Sequence, residues 1–171
     1  MTMKCMIDLE TLGLDRDAVF FEIGAVFFDD TQIILKTDIR IDVVDALCHG
    51  LTTDPKTVEW WKDRERTGMK IPHTLRSGLT LLYSTMKEMG VTEVWANSPS
   101  FDLEKLKYAG NLLGIDAPWR YSMERDFRTI RKVYEKSRPP IAMREATHGA
   151  IDDAFDQATA LMKMLQALDE K

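Results

Sequence analysis

Near its start the chain reads Met6-Ile7-Asp8-Leu9-Glu10-Thr11, and residues 4–9 predict a short strand. Because strand side chains alternate between two faces, Asp8 and Glu10 share one face, whereas Ile7 and Leu9 face the core. Two carboxylates that converge in this way repel each other, which raises at least one pKa unless a divalent cation neutralises them. The stretch therefore predicts either a cation site or, alternatively, a solvated strand end.

Two further strands are predicted after this one. Residues 19–28 are rich in Phe, Val and Ile, and Gly24 lies where another backbone can approach closely. Residues 32–41 alternate enough to form the third strand. Asp29-Asp30 is a turn signal between the last two, so we expect the three strands to form an antiparallel meander.

The middle of the chain has helical periodicity. Asp54-Pro55 is typical of an N-cap followed by proline at the first helical position, and the helix it opens carries Trp60 and Trp61. The other predicted elements are a helix at 74–89, a strand at 91–96, a helix at 101–113 and a last helix at about 147–168. This order predicts an α/β fold in which helices flank a mixed sheet of three antiparallel strands plus parallel strands.

Composition bounds the class of protein. The chain has 171 residues, of which 44% are apolar and 30% charged, so we expect one core and a single domain over residues 1–171. No apolar run approaches the roughly 18 residues of a membrane helix, and no secretion signal is recognisable, so we expect a soluble cytoplasmic protein. Cys5 and Cys48 lack metal-binding spacing, which argues against structural zinc and disulfides and predicts two buried thiols.

The charge of the chain is unevenly distributed. The net charge is −5, whereas residues 120–144 hold eight Lys/Arg and three Asp/Glu, which is a local +5 and leaves −10 for the remainder. A basic segment in an acidic protein is able to follow the phosphates of a nucleic acid, and Arg128 is the contact we favour within it. The alternative is an ordinary solvated helix and loop.

A second acidic position follows the strand predicted at 91–96. Asp102 lies near the start of a helix, where an acid commonly caps the helix and favours its dipole. The same place is the carboxyl end of a strand, where open α/β sheets carry their sites. The residue is therefore either a cap or a site residue.

A third group lies at the start of the last predicted helix. It contains His148, one of three histidines, followed by Asp152 and Asp153. Helical geometry does not choose between the two aspartates, because they flank the apolar stripe at similar angles on opposite sides. A lone histidine at such a place is, alternatively, a surface or core residue without a catalytic role.

Together the three groups resemble the DEDDh family of 3'-5' exonucleases, the proofreading-exonuclease superfamily with a ribonuclease H-like fold. The matching positions are Asp8, Glu10 and Thr11 in the first motif, Phe101-Asp102 in the second, and His148 and Asp153 in the third. The H-x4-D spacing of the third motif selects Asp153 over Asp152. Residues 57–61, Asn97 and Arg128-Thr129 look like the small stand-alone exonucleases of phages and mycobacteria. The likeness covers nearly the whole chain.

The resemblance implies a chemistry and its residues. Two cations, Mg2+ or Mn2+, would be held by four carboxylates, and a histidine would act as general base on the attacking water. The implied metal ligands are Asp8, Glu10, Asp102 and Asp153, the implied base is His148, and the implied substrate contacts are Thr11, Leu12, Asn97, Phe101 and Trp60 or Trp61. The product would be a nucleoside 5'-monophosphate.

The resemblance also implies partners and leaves alternatives open. We expect single-stranded 3' ends as substrate, with DNA favoured, and relatives of this kind are often homodimers and in some cases phage-encoded. The first alternative is an RNA-trimming 3'-5' exoribonuclease, because the contacts that read the 2'-OH cannot be located in one sequence. The second is a catalytically silent module that binds nucleic acid. A third, an internal nuclease of the same fold, is disfavoured by the spacing of His148.

Overall fold

The computed structural model describes residues 2–64, 71–145 and 147–169, and its centre is a five-stranded sheet. The strands are β1 (Lys4–Thr11), β2 (Phe20–Phe28), β3 (Ile33–Arg40), β4 (Glu93–Ala96) and β5 (Glu124–Asp126). Their order across the sheet is β3-β2-β1-β4-β5. The first three strands pair antiparallel, whereas β4 is parallel to β1 and β5 is parallel to β4. The predicted mixed sheet and meander are confirmed.

Helices flank this sheet. Those in the described residues are α1 (Val43–Cys48), α2 (Pro55–Lys62), α3 (Leu75–Glu88), α4 (Pro99–Leu113), α5 (Phe127–Glu135) and α6 (Ala150–Asp169), with a short 3-10 helix at Tyr121–Met123. None of these helices has both the length and the apolar character that crossing a membrane requires.

Side-chain hydrogen bonds and one glycine set several ends of the helices and strands at the positions that the sequence predicts. The carboxylate of Asp29 accepts hydrogen bonds from the backbone N–H groups of Thr31 (2.7 Å) and Gln32 (2.9 Å), which closes the turn between β2 and β3. The side chain of Asp54 caps α2. Gly114 ends α4 in a left-handed conformation with φ 66°, which glycine adopts without steric cost.

Strand alternation divides the core into two clusters, one on each face of the sheet. Cys5, Ile7 and Leu9 of β1 belong to the cluster that includes buried residues of α3 and α4. Met6 belongs to the cluster on the opposite face, which includes buried residues of α5 and α6. Asp8 follows Met6 in the alternation, so its side chain points to the side of the sheet that α6 covers.

The structure differs from the sequence prediction in three places. The last helix begins at Ala150 rather than at residue 147, because His148 has a left-handed φ of 54° that interrupts a helix. The elements α1, β5 and α5 were not predicted, because six and three residues are too short to display a period and the residues of α5 lie in the basic segment, which we interpreted by its charge. Cys48 at the end of α1 is exposed, so the expectation of two buried thiols is wrong for it, whereas Cys5 is buried.

Candidate active site

The first two acids of the site, Asp8 and Glu10, lie on β1 beyond the point where its parallel neighbour β4 ends. Pairing between β1 and β4 extends only to Ile7 opposite Ala96, so the strand continues beyond β4 through Asp8 and Glu10. Glu10 is buried, and Asp8 is half-buried. The predicted pair of acids is thus at the carboxyl end of a central strand, as open α/β sheets place their sites.

Asp102 reaches the same place from α4. The N-cap of α4 is Ser98, and Asp102 is buried rather than solvated at the helix end, so the interpretation of Asp102 as a simple cap is wrong. Burial raises the pKa of the Asp102 carboxyl to about 7, against the lowering effects of a hydrogen bond from the backbone of Leu9 and of the Lys105 charge. Keeping a buried carboxyl group ionised costs free energy unless a cation binds beside it.

The start of α6 supplies the third group. A Cβ atom on Gly24 would lie 2.1 Å from the carbonyl oxygen of Ala150, so only glycine allows α6 to begin this close to β2. The backbone N–H of Ala150 donates a hydrogen bond of 3.4 Å to Glu22 Oε2. The carboxylate of Asp153 accepts hydrogen bonds from the N–H (3.0 Å) and the hydroxyl (3.2 Å) of Thr147.

These groups converge. Ligand atoms of Glu10, His148 and Asp153 all lie within 4.8 Å of one another. Burial raises the pKa of Asp8 well above its usual range, and the charges of Asp102, Glu10 and Asp153 raise it further, while the hydrogen bond from Gln157 lowers it. The structure therefore brings together all five predicted positions, and Asp8 interacts electrostatically with each of the other three carboxylates.

The chemistry of this donor set fits a hard divalent cation. Carboxylate oxygens are the ligands that Mg2+ and Mn2+ prefer. The mutual repulsion that raises the pKa of Asp8 would be relieved by positive charge. Asp8, Glu10, Asp102 and Asp153 are the residues that could hold such ions.

Three predicted substrate contacts line one cavity with two of these acids. The cavity has a volume of about 390 Å3, and Asn97, Phe101 and Arg128 line it beside Asp8 and Asp102. Arg128 is exposed at its rim. A phosphate or a base that entered this cavity would meet the guanidinium group of Arg128, the ring of Phe101 and the amide of Asn97 next to the acidic cluster.

The other predicted contacts lie elsewhere. Leu12 and Trp61 line a separate, more apolar cavity of about 440 Å3. The indole N–H of Trp61 donates to the carbonyl oxygen of Thr11 (2.9 Å), and the Thr11 hydroxyl donates to the carbonyl oxygen of Gly13 (2.9 Å). The rings of Trp61 and His148 meet edge to face at 6.2 Å. Trp61 thereby connects the end of β1 with His148.

Much of the basic segment serves local structure. Arg144 makes two hydrogen bonds to Asp156 (2.7 and 2.8 Å), and Arg138 donates to the carbonyl oxygen of Ala167 (2.7 Å). Both interactions tie the segment to α6. Arg138 and Arg144 are therefore engaged within the protein, and the expected phosphate contact concerns individual residues of the segment. Arg128 is one of them, because it lines the cavity beside the acids.

One residue at the site was not predicted. Gln157 on α6 is buried and its amide nitrogen donates to Asp8 Oδ1 at 2.9 Å. A signal for it exists in the sequence, because position 157 lies three residues after Ala154 and four before Leu161, on the apolar stripe, yet carries a polar side chain.

Solved structures with a similar architecture are known. The structure is similar to E. coli Exonuclease I in complex with a dT13 oligonucleotide, with a TM-score of 0.71 and 15% identity over 99% of this chain and 43% of that chain. The same enzyme in complex with a 5cy-dA13 oligonucleotide gives a TM-score of 0.69 and 15% identity over 98% of this chain and 41% of that chain. The chain spans less than half the length of Exonuclease I, and at this identity the likeness concerns the fold alone. No curated protein matches the sequence significantly.

The fold is accordingly ribonuclease H-like, and the class that the match to a family model defines is that of the 3'-5' exonucleases. The model of one family within that class, described as the 3'-5' exoribonuclease Rv2179c-like domain, matches residues 3–165. The chain belongs to this family of Rv2179c-like domains.

Proposed function

We propose that this chain is a metal-dependent 3'-5' exonuclease that hydrolyses single-stranded nucleic acid and releases nucleoside 5'-monophosphates. One observation carries the proposal: acids from β1, α4 and the start of α6 meet at the carboxyl end of β1 with a histidine beside them. Membership of a 3'-5' exoribonuclease family supports the direction of attack. The oligonucleotide complexes of Exonuclease I support a single-stranded substrate.

In this proposal four carboxylates hold two cations, Mg2+ or Mn2+. When bound, the cations would activate the attacking water and stabilise the leaving 3' oxygen. Asp8 is the ligand proposed to be shared, because its carboxylate interacts with those of Asp102, Glu10 and Asp153. Glu10 and Asp153, which lie together with His148, would complete one cation site, and Asp102 the other.

His148 is the proposed general base. Its imidazole lies within 4.8 Å of ligand atoms of Glu10 and Asp153, so it is placed beside the region where the water would be held. The side chain is exposed, so a proton taken up from the water has a route to solvent. The ring of Trp60 packs edge to face on the imidazole at a centroid distance of 4.9 Å and restricts its orientation.

The substrate strand is proposed to enter the cavity beside Asp8 and Asp102. Arg128 would contact a phosphate, Asn97 would hydrogen-bond the nucleotide, and Phe101 would offer its ring to a base. Thr11 and Leu12, which follow β1 directly, are proposed to hold the terminal nucleotide. Trp61 is a further proposed contact through the neighbouring apolar cavity.

DNA is the first candidate substrate and RNA the second. The complexes of the structural neighbours contain deoxyoligonucleotides, which favours DNA, whereas the family description favours RNA. Digestion of DNA and RNA strands of the same sequence, each labelled at the 3' or the 5' end, distinguishes them. A labelled mononucleotide from the 3' end with Mg2+ or Mn2+, and none with EDTA, is expected. Binding without release under all metal conditions would indicate the silent module instead.

A further inference from the structure

The face of α6 that packs on the sheet is apolar with one exception. Ala154, Ala158 and Leu161 are fully buried there, and Gln157, which lies among them, is 7% exposed. A buried amide displaces an apolar side chain that would contribute more hydrophobic stabilisation, so its presence calls for a partner. Gln157 lies one helical turn after Asp153, on the side of the helix that faces β1.

The amide nitrogen of Gln157 has such a partner. It donates a hydrogen bond of 2.9 Å to Asp8 Oδ1, a contact between residues 149 positions apart in the chain. The orientation of the amide is determined by the contact, because the reverse orientation would set its carbonyl oxygen against a carboxylate oxygen. One oxygen of Asp8 is thus held from α6.

The other end of the amide is a buried acceptor. Gln157 Oε1 has no hydrogen-bond partner in the part of the chain that the structure describes. A buried acceptor left in this state costs about 1–3 kcal/mol. A cavity of about 370 Å3 that Asp8, Asn97 and Asp153 help to line reaches the Gln157 side chain, whereas its Oε1 atom stays buried.

We infer that Gln157 is a positioning residue of the cation site, in which its N–H group fixes the rotation of the Asp8 carboxylate. This inference rests on the proposed function, since it requires Asp8 to be a cation ligand. A carboxylate that is already oriented loses less rotational freedom when it binds an ion. The polar residue on an apolar helix face is thereby accounted for by its contact with Asp8.

Titration calorimetry with Mn2+ in the absence of nucleic acid tests the inference. Q157M keeps the length of the side chain and removes both the donor and the acceptor. The matched control is Q166M on the same helix, because Gln166 also donates a hydrogen bond of 2.9 Å, to the carbonyl oxygen of Asp30 at a distance from the site. We expect Q157M to weaken Mn2+ binding about 10- to 100-fold and Q166M to leave it unchanged.

A kinetic readout separates positioning from general structural damage. For Q157M, kcat should recover as Mn2+ is raised to saturation, with an unchanged KM for the oligonucleotide. Lowered melting temperature in EDTA together with wild-type Mn2+ affinity would overturn the inference and assign Gln157 a structural role. If Q157M does not fold, Q157N carries the same test, because its amide is one methylene too short to reach Asp8.

The Asp8→Ala variant makes the two possible failures distinguishable. If the wild type binds Mn2+, D8A does not, and Q157M binds like the wild type, the inference on Gln157 is overturned and the proposed function stands. If the wild type itself binds no Mn2+, or D8A binds it equally well, the proposed cation site fails and the inference fails with it.

Discussion

The carbonyl oxygen of Ala150 lies against Gly24 so closely that a Cβ atom on residue 24 would be 2.1 Å from it. This contact seats the first turn of α6 on β2, and Glu22 in the same strand accepts the N–H of Ala150. His148 and Asp153 flank that point and meet Glu10 of the neighbouring strand. The lack of a side chain at Gly24 therefore determines where His148 and Asp153 lie.

Gly24→Ala should displace the start of α6. Backbone atoms surround the new methyl group at 2.1–2.5 Å, and backbone cannot move aside as a flexible side chain can. We expect the free energy of unfolding in urea to fall by about 1–3 kcal/mol or more, with loss of Mn2+ binding. Gly149→Ala is the control, because its methyl group would meet neighbours only at 3.5 and 3.6 Å. Equal destabilisation by both variants would contradict the role given to the contact.

Asp153→Asn and Asp152→Asn test which of two adjacent aspartates belongs to the site. Asp153 lies with Glu10 and His148, whereas Asp152 is exposed. Loss of a residue that merely orients a ligand lowers activity about 10- to 100-fold, so loss of a proposed ligand should cost at least that much. We expect D153N to lose nuclease activity to this extent and D152N to retain it, both measured on an end-labelled strand. The opposite ranking would remove Asp153 from the site.

The sequence allows this choice for a definite reason. Periodicity alone leaves Asp152 and Asp153 equivalent, whereas the motif spacing from His148 selects Asp153, and the structure places that residue with Glu10. The meander and the close approach at Gly24 were predictable as well, because strand alternation and turn chemistry are local properties of the chain.

Other features depend on contacts between distant parts of the chain and have no local signature. The pairing of Gln157 with Asp8 spans 149 positions, and only the interruption of an apolar stripe marks one of its ends. In the sequence Asp102 is either a helix cap or a site residue, and its burial follows from how α4 packs beside β1. The position of Leu12 in a cavity apart from Asn97 likewise depends on tertiary packing.

His148→Ala distinguishes a general base from a metal ligand. If His148 takes a proton from the attacking water, kcat should fall about 10²- to 10⁴-fold while the affinity for Mn2+ stays at the wild-type value. His49→Ala is the control, because His49 lies at the end of α1 and bonds to Asp45. A large loss of Mn2+ affinity in H148A would instead make His148 a ligand beside Glu10 and Asp153.

Arg128→Ala should weaken binding of the strand in a salt-dependent way. Each phosphate contact on a single strand contributes a slope of about −0.7 to the plot of log affinity against log salt concentration. We expect R128A to reduce the slope by about that amount, measured by fluorescence anisotropy in EDTA. Lys163→Ala removes the same charge from an exposed position on α6, about 15 Å along the helix from Asp153, and should leave the slope unchanged. Identical slopes for R128A and the wild type would remove Arg128 from the phosphate path.

The raised pKa of Asp102 predicts how stability depends on pH without metal. Burial moves this pKa from 3.8 to about 7, so between those values the folded state binds more protons than the unfolded state does. The free energy of unfolding should therefore fall as pH rises from about 4 to 7, by on the order of 4 kcal/mol from this residue alone. Thermal unfolding in EDTA across this range, compared with Asp102→Asn, measures the contribution, and equal slopes for the two proteins would contradict it.

Mn2+ should oppose the loss of stability at higher pH, because a cation takes the place of the protons on Asp8 and Asp102. Below about pH 5 the ion competes with protons that these buried carboxyls retain, and near pH 7.5 it meets carboxylates whose repulsion it relieves. The rise in melting temperature on adding Mn2+ should consequently be larger at pH 7.5 than at pH 5, and smaller in D102N than in the wild type. A rise independent of pH would place the bound ion away from Asp8 and Asp102.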